Sequence, residues 1–158
     1  MNGKTLVLGI GNPIKTDDAV GLRVAQKIKE MGLPGVTVEE ESASGLEIID
    51  SIMDYELVIV IDAILTGNFP AGTVMIYTPE DFRNVITPAS PHEINIFTAL
   101  EIGRKTVPGR MPEKLYLVAI EVKEVMNIGE EMTPEVERAV PEAVKAVLDL
   151  ITQKSSDS

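Results

Sequence analysis

Apolar residues along this chain fall into two kinds of run, short β-branched runs and longer runs with helical spacing. Five short runs predict strands at residues 5–10, 36–39, 57–61, 73–77 and 115–120. The run at 57–61 is uninterrupted, which is typical of a strand covered on both faces. We expect the strand at 73–77 nearer an edge of the sheet.

Apolar residues three and four positions apart predict four helices between and after these strands. Their inward faces are Val20, Val24, Ile28 and Met31; Leu46, Ile49 and Met53; Ile94, Phe97 and Leu100; and a last set from Val136 to Ile151. Thr16 or Asp17 can cap the first helix, and Gly21 lets that helix approach the sheet closely. Pro141 falls inside the last helix, where we expect a kink or a break. A further helical turn is expected near Asp81.

Strands that alternate with helices indicate an α/β fold, a three-layer sandwich with a mainly parallel twisted sheet of about five strands flanked by helices. The chain has 158 residues and no linker long enough to separate domains, so we expect a single domain over residues 1–153. Residues 154–158 are polar, and we expect a disordered tail there. In such folds, ligands bind outside the carboxyl ends of the strands.

Four polar residues fall where this fold can bring functional groups together. Asp17 and Asp18 follow the first strand at a strand-to-helix turn, and Asp62 directly ends the apolar run at 57–61. A buried carboxylate is costly unless it is paired or bound to a ligand. His92, the only histidine, lies in the sequence SPHE at 90–93, which matches a helix capping box. The dipole of a helix N-terminus keeps the imidazole neutral near pH 7, so two carboxylates and this imidazole suit a divalent first-row metal.

Each candidate also has a simpler interpretation. Asp17 or Asp18 could only cap the following helix and complement its dipole, an effect worth ~1 kcal/mol. One carboxylate suffices for a cap, which favours a functional role for the other. Asp62 could cap the following loop. A lone histidine such as His92 is more often a solvated or packed residue.

Two other kinds of site are disfavoured by the residues themselves. Gly9 and Gly11 follow the first strand, but the third glycine of a dinucleotide-binding fingerprint would fall on Ile14, so we expect no nucleotide. A hydrolase triad of Ser90, His92 and Asp62 lacks the G-x-S-x-G turn, and Ser90 is better used as a helix cap.

Composition narrows the possible partners. The chain has no cysteine, which removes thiolate catalysis and Cys-based metal sites, and its net charge of −11 opposes binding to nucleic acid or to an anionic membrane. No apolar stretch approaches the ~20 residues of a membrane span, and the first apolar run does not have the pattern of a signal peptide. We therefore expect a cytoplasmic protein whose partner is another protein or a small ligand.

Four motifs in this order resemble those of the [NiFe]-hydrogenase maturation endopeptidases: GIGN at 9–12, TDDAVG at 16–21, IDA at 61–63 and SPH at 90–92. The resemblance spans nearly the whole chain, although Ala19 stands where many members of the family have glycine. It implies an enzyme that removes the C-terminal extension of a hydrogenase large-subunit precursor after nickel has been inserted. It also implies that Asp18, Asp62 and His92 are the metal-contacting and catalytic residues, and that the nickel belongs to the substrate. We expect Asp17 to orient these ligands or to cap the helix.

Two rival functions stay open at this point. The first is a maturation chaperone that binds metal through the same residues without cutting, which the lack of His-rich or Cys-rich tracts disfavours. The second is another hydrolase on a similar scaffold, such as a peptidyl-tRNA hydrolase, which the negative net charge disfavours.

Overall fold

The structure is a computed structural model that describes residues 4–11, 19–41, 47–82, 96–122 and 132–157. These residues form five strands and five helices. The strands are β1 Thr5–Ile10, β2 Val36–Glu41, β3 Leu57–Ile64, β4 Val74–Tyr77 and β5 Lys114–Glu121. The helices are α1 Val20–Glu30, α2 Glu47–Ile52, α3 Pro79–Phe82, α4 Ile96–Thr106 and α5 Pro134–Asp157. The helical turn expected near Asp81 is α3.

The strands form one sheet in the order β2-β1-β3-β5-β4. All neighbouring pairs are parallel except β4 with β5, and β4 lies at an edge, as expected. Buried residues of α2 and α4 pack on one face of the sheet, and those of α1 and α5 pack on the other. The predicted α/β sandwich with a mainly parallel sheet is therefore confirmed.

β3 is central because it is paired on both sides and covered on both faces. Leu57, Ile59 and Ile61 belong to the cluster with α1 and α5, while Val58 and Val60 belong to the cluster with α2 and α4. This alternation follows from the two-residue period of a strand. It explains why the run at 57–61 has no polar position.

The packing of α1 on the sheet depends on two glycines. A Cβ atom added to Gly9 would lie 2.6 Å from Cβ of Ala25 and 2.6 Å from the carbonyl oxygen of Gly21. A Cβ atom added to Gly21 would lie 2.5 Å from the carbonyl oxygen of Ile61 and would also meet that of Ile10. The predicted close approach of Gly21 is confirmed, and Gly9 has a packing role in the same contact.

The beginning and end of α1 differ from the sequence prediction. The N-cap is Ala19, which makes no side-chain capping hydrogen bond, so the prediction that Thr16 or Asp17 caps this helix is wrong. Met31 was predicted to face inward, but the helix ends at Glu30 and Met31 is 47% exposed. The chain turns away at Gly32, whose φ of 60° is in the left-handed region.

α5 is longer than predicted and continues through its internal proline. It is one helix with Pro141 inside it, so the helix is not interrupted at the proline. Val140, Ala143 and Val144 are buried around the proline, and this burial offsets the one backbone hydrogen bond that proline cannot donate. The helix also continues past residue 153 to Asp157, where the sequence pattern predicts a polar tail. Backbone hydrogen bonds can propagate a helix beyond its last apolar residue.

No helix within the described part of the chain is both long and apolar enough to cross a membrane. The predicted capping box at 90–93 and the inward residues Leu46 and Ile94 lie outside the described residues.

Candidate active site

The carboxyl ends of β1, β3 and β5 lie at the same edge of the sheet because the three strands are parallel. We refer to this side as the carboxyl edge, and to the side where these strands begin as the amino edge. Asp62 lies in β3, two residues before its end, and is opposite Ala119 of β5. The predicted carboxylate is thus at the edge where parallel α/β sheets bind ligands.

Asp62 is half-buried, and it interrupts an otherwise apolar face of β3. Val60 and Ile64, two residues to either side, belong to the cluster with α2 and α4, so Asp62 lies on that face. Its Oδ1 atom accepts a hydrogen bond of 2.8 Å from the backbone N–H of Ala63. This bond holds one oxygen of the Asp62 carboxylate next to the backbone of β3.

The first turn of α1 lies against the residue that precedes Asp62. Gly21 touches the carbonyl oxygens of Ile10 and Ile61, so the helix begins between the carboxyl ends of β1 and β3. Asp17 and Asp18 precede this turn in the chain but lie outside the described residues. The fold therefore brings the beginning of α1 to Asp62.

α4 covers the same face of the sheet as Asp62. Its buried Ile96, Phe97 and Leu100 belong to one cluster with Val60 and Ile64. The chain leaves α4 for the start of β5 at the amino edge, and an 11-residue helix is ~16 Å long, so α4 begins toward the carboxyl edge. His92 precedes Ile96 by four residues and lies outside the described residues.

A second carboxylate at the carboxyl edge was missed by the sequence analysis. Glu121 is the last residue of β5, is opposite Ile64 of β3 and is only 1% exposed. The predicted strand at 115–120 ends one residue before Glu121. The pattern of an apolar run followed by an acidic residue is the one that identified Asp62, and it could have identified Glu121.

The Glu121 carboxylate is held by hydrogen bonds from a loop and is not directed at α1. Its Oε2 atom accepts from the N–H groups of Thr66 at 2.9 Å and Gly67 at 3.2 Å, and its Oε1 atom accepts from Oγ1 of Thr66 at 2.5 Å. Glu121 thus fixes the chain that follows Asp62.

Tyr77 of β4 lies within the electrostatic reach of Glu121. Its hydroxyl donates a hydrogen bond of 3.2 Å to Sδ of Met75. Burial raises the pKa of Tyr77 above its ordinary value, and the negative charge of Glu121 raises it further. The phenol is therefore kept neutral on this face of the sheet.

The described residues do not by themselves complete a metal site. Within the ranges that the structure describes, no group of three or more His, Asp or Glu side chains could hold a metal ion. Of the predicted ligands, only Asp62 is among these residues, so the joint placement of Asp18, Asp62 and His92 stays a prediction.

A cavity of ≈ 340 Å³ lies away from this edge, where β5 begins. It is lined by Arg104 of α4, by residues 78–80 and by residues 113–116. Because Lys114 is the first residue of β5 and Glu121 the last, this cavity is near the amino edge and does not include Asp62.

Comparison with known proteins gives a consistent result. A family model described as "Hydrogenase maturation protease" matches residues 22–150. The hydrogenase 2 maturation protease of Escherichia coli is 29% identical in a match that covers 98% of this chain and 94% of that protein. Among solved structures, the hydrogenase-maturating endopeptidase HybD from E. coli is similar with a TM-score of 0.79 and 29% identity, and the match covers 98% of this chain and 99% of that one. A hydrogenase 2 maturation peptidase from a Thaumarchaeota archaeon is similar with a TM-score of 0.68 and 26% identity, over 94% and 97% of the two chains.

Proposed function

From the premise that this chain belongs to the hydrogenase maturation protease family, we propose that it removes the C-terminal extension of a [NiFe]-hydrogenase large-subunit precursor after nickel insertion. The observation that carries the proposal is the match of nearly the whole chain, in sequence and in fold, to maturation endopeptidases. As a member of this family the protein is a hydrolase acting on peptide bonds. These relatives do not support the alternative of a chaperone without proteolytic activity.

We infer that Asp18, Asp62 and His92 contact the nickel carried by the precursor. The described geometry supports this set because α1 begins against Ile61, next to Asp62. Asp18 is three residues from Gly21, so its Cα atom is within ~11 Å of that contact by chain length alone. His92 is four residues from Ile96, within ~14 Å of the start of α4 on the Asp62 face.

This donor set suits recognition of a metal that arrives with the substrate. Carboxylate and imidazole groups bind divalent first-row metals, and three protein ligands leave positions open for groups of the precursor. Asp62 is held by the N–H of Ala63, so one oxygen is oriented before the precursor binds. A carboxylate of the set, or the nickel itself, would activate water against the scissile carbonyl. We assign Asp17 to orienting this set, since Ala19 occupies the N-cap of α1.

We further propose that the precursor is the protein partner and that the reaction takes place in the cytoplasm. Cell fractionation followed by immunodetection of this protein and of the uncut precursor tests the location. Both should be found in the same cytoplasmic fraction, and separate fractions would contradict it.

The decisive experiment compares a nickel-loaded precursor with the same precursor lacking nickel. Each is incubated with the protein, and the mass of the precursor is measured to detect loss of its C-terminal extension. We expect cleavage of the loaded form only. Cleavage of both forms, or of neither, would count against nickel-gated proteolysis.

His92→Ala tests the inferred ligand set in the same assay. It should abolish cleavage with an unchanged circular dichroism spectrum, because it removes the only imidazole. Asp54→Asn is a matched control, since Asp54 is an exposed residue in the turn before β3. An unchanged rate for His92→Ala would remove His92 from the site.

A further inference from the structure

Residues 65–73 connect β3 to β4, although these two strands are not neighbours in the sheet. β5 lies between them. This segment, which we call the crossover loop, must therefore pass over the carboxyl end of β5, where Glu121 is located. It begins three residues after Asp62.

Glu121 holds the crossover loop at both of its ends. Its side chain accepts hydrogen bonds from Thr66 and Gly67 at the beginning of the loop. Its backbone carbonyl accepts from the N–H of Gly72 at 2.7 Å, and its own N–H donates to the carbonyl of Thr73 at 2.9 Å. One buried residue thus fixes where the loop leaves β3 and where it enters β4.

The interior of the crossover loop is also ordered by its own hydrogen bonds. The N–H of Asn68 donates to Oγ1 of Thr66 at 3.0 Å, and Oγ1 of Thr73 donates to the carbonyl of Pro70 at 2.6 Å. Gly72, with φ of 92°, packs so closely on the backbone of α5 that a Cβ atom there would lie 2.5 Å from the carbonyl oxygen of Glu135. The loop therefore has a defined conformation before any partner binds.

This ordered loop exposes two large apolar side chains. Leu65 is 38% exposed and Phe69 is 46% exposed. Among the described residues, the other large apolar side chains with comparable exposure are Met31 and Ile76, which lie on other elements. The crossover loop has no charged residue, in a chain of which 25% is charged. An apolar surface that is held rigidly loses little conformational entropy on binding, which favours its use as a protein contact.

We propose that Leu65 and Phe69 are docking contacts for the hydrogenase large-subunit precursor, and that Glu121 is the positioning residue that holds them. The inference rests on the proposed function. The binding partner is the precursor because the crossover loop continues directly from β3, the strand that contains Asp62. A segment of the precursor bound at Asp62 would therefore lie next to the loop. The uncharged loop fits an apolar segment of the precursor beside the scissile bond.

Binding affinity for the precursor tests the two apolar contacts. The dissociation constant is measured by biolayer interferometry, with nickel-loaded and nickel-free precursor, for the wild type and for Leu65→Ser and Phe69→Ser. Buried anchors of an interface dominate its affinity, so we expect each substitution to weaken binding about tenfold or more. Met31→Ser and Ile76→Ser are matched controls of similar exposure and should leave the dissociation constant unchanged.

Three outcomes would overturn the docking proposal. They are unchanged affinity in both loop variants, equal weakening in the controls, and a concentration-dependent dimer of the wild type that Phe69→Ser abolishes. The last would assign the loop to a second copy of this chain. If the wild type cuts loaded precursor while the loop variants bind it normally, only the docking proposal fails. If the wild type cuts neither form of the precursor, the proposed function fails.

Glu121→Gln tests the positioning role, and Glu113→Gln, at the residue just before β5, is the matched control. The neutral amide accepts more weakly than the carboxylate from the N–H groups of Thr66 and Gly67, and its NH2 group replaces the acceptor of the Thr66 hydroxyl, so the hydrogen bonds that hold the loop are weakened. We expect faster amide hydrogen exchange over residues 66–73, weaker precursor binding, and a higher KM with kcat unchanged at saturation. A variant with unchanged exchange and KM, or one in which only kcat falls, would contradict this role.

Discussion

The two edges of the sheet each contain a carboxylate that joins distant parts of the chain. At the amino edge, Asp54 accepts hydrogen bonds from Nε of Arg110 at 3.0 Å and from its Nη2 at 2.5 Å, and the N–H of Asp54 donates to the carbonyl of Arg110 at 2.8 Å. At the carboxyl edge, Glu121 accepts from Thr66 and Gly67. The residues joined are 56 and 55 positions apart in the two cases, so the two carboxylates span similar lengths of chain.

The two connections differ in burial and in the kind of partner. The side chains of Arg110 and Asp54 are 53% and 54% exposed, whereas Glu121 is 1% exposed and is bound by uncharged donors. An exposed ion pair is screened by water and salt, while a buried carboxylate that loses its donors is left with a large desolvation penalty. The edge that carries Asp62 is therefore held by the connection that is harder to loosen.

The largest contrast between the edges should be in activity. Asp62→Asn removes the proposed metal-binding carboxylate, and we expect cleavage of nickel-loaded precursor to fall by more than about 100-fold, since even partners of metal ligands are worth 10–100-fold. Asp54→Asn should leave the rate unchanged. Initial rates from the mass of the precursor measure both, and similar rates for the two variants would remove Asp62 from the reaction.

The next effect should be on stability. Glu121→Leu leaves the N–H groups of Thr66 and Gly67 without their acceptor, so we expect the free energy of unfolding to fall by about 3 kcal/mol. Urea denaturation monitored by circular dichroism measures it, and Asp54→Asn should lower stability by much less. If Glu121→Leu lowers the free energy of unfolding no more than Asp54→Asn does, the buried connection at Glu121 is no stronger than the exposed one at Asp54.

A smaller effect should appear in the ionisation of Tyr77. Glu121→Gln removes a negative charge that raises the pKa of Tyr77, so this pKa should fall but stay above its ordinary value because burial, the larger cause, remains. A raised pKa in the folded state means that the neutral phenol contributes stability below the ordinary tyrosine pKa, and that this contribution is lost as pH rises through the raised value. NMR titration of 13C-labelled tyrosine measures the change. No difference from Glu113→Gln would contradict the coupling.

The smallest effect should come from the exposed ion pair. The Arg110 hydrogen bond lowers the pKa of Asp54, so Arg110→Ala should return this pKa to the usual carboxyl range. Because the folded-state pKa is lowered, the contribution of Asp54 to stability is present above the ordinary carboxyl pKa and is lost as pH falls through the lowered value. Carboxyl NMR titration at low and high salt checks this, and a pKa unchanged by Arg110→Ala would show that the pair does not persist in solution.

The sequence predicted the parts of the carboxyl edge that depend on local pattern. Asp62 was found because an apolar run ends in an acidic residue, and the close approach at Gly21 was found because it opens an amphipathic helix. The N-cap of α1 was predicted two or three residues too early, at Thr16 or Asp17, because a local pattern does not locate the first helical residue. The helix itself was correctly predicted, and the error concerns only the residue at which it begins.

The parts that could not be predicted depend on pairing between distant strands. The position of β5 between β3 and β4 is set by contacts across the sheet, which no local pattern encodes. Without that order, the hydrogen bonds between Glu121 and the crossover loop cannot be foreseen. The roles of Asp18, Asp62 and His92 as metal-contacting and catalytic residues remain predictions.

The order of the strands has a consequence for how the protein is made. Chains are synthesised from the N-terminus, so β3, the crossover loop and β4 leave the ribosome before β5 exists. The loop crosses the place that β5 will occupy, and its main anchor, Glu121, is made 55 positions after Thr66. A nascent chain can therefore contain Asp62 without a finished crossover loop. The crossover loop can form its hydrogen bonds with Glu121 only after β5 has been made, a delay that follows from the order of the strands.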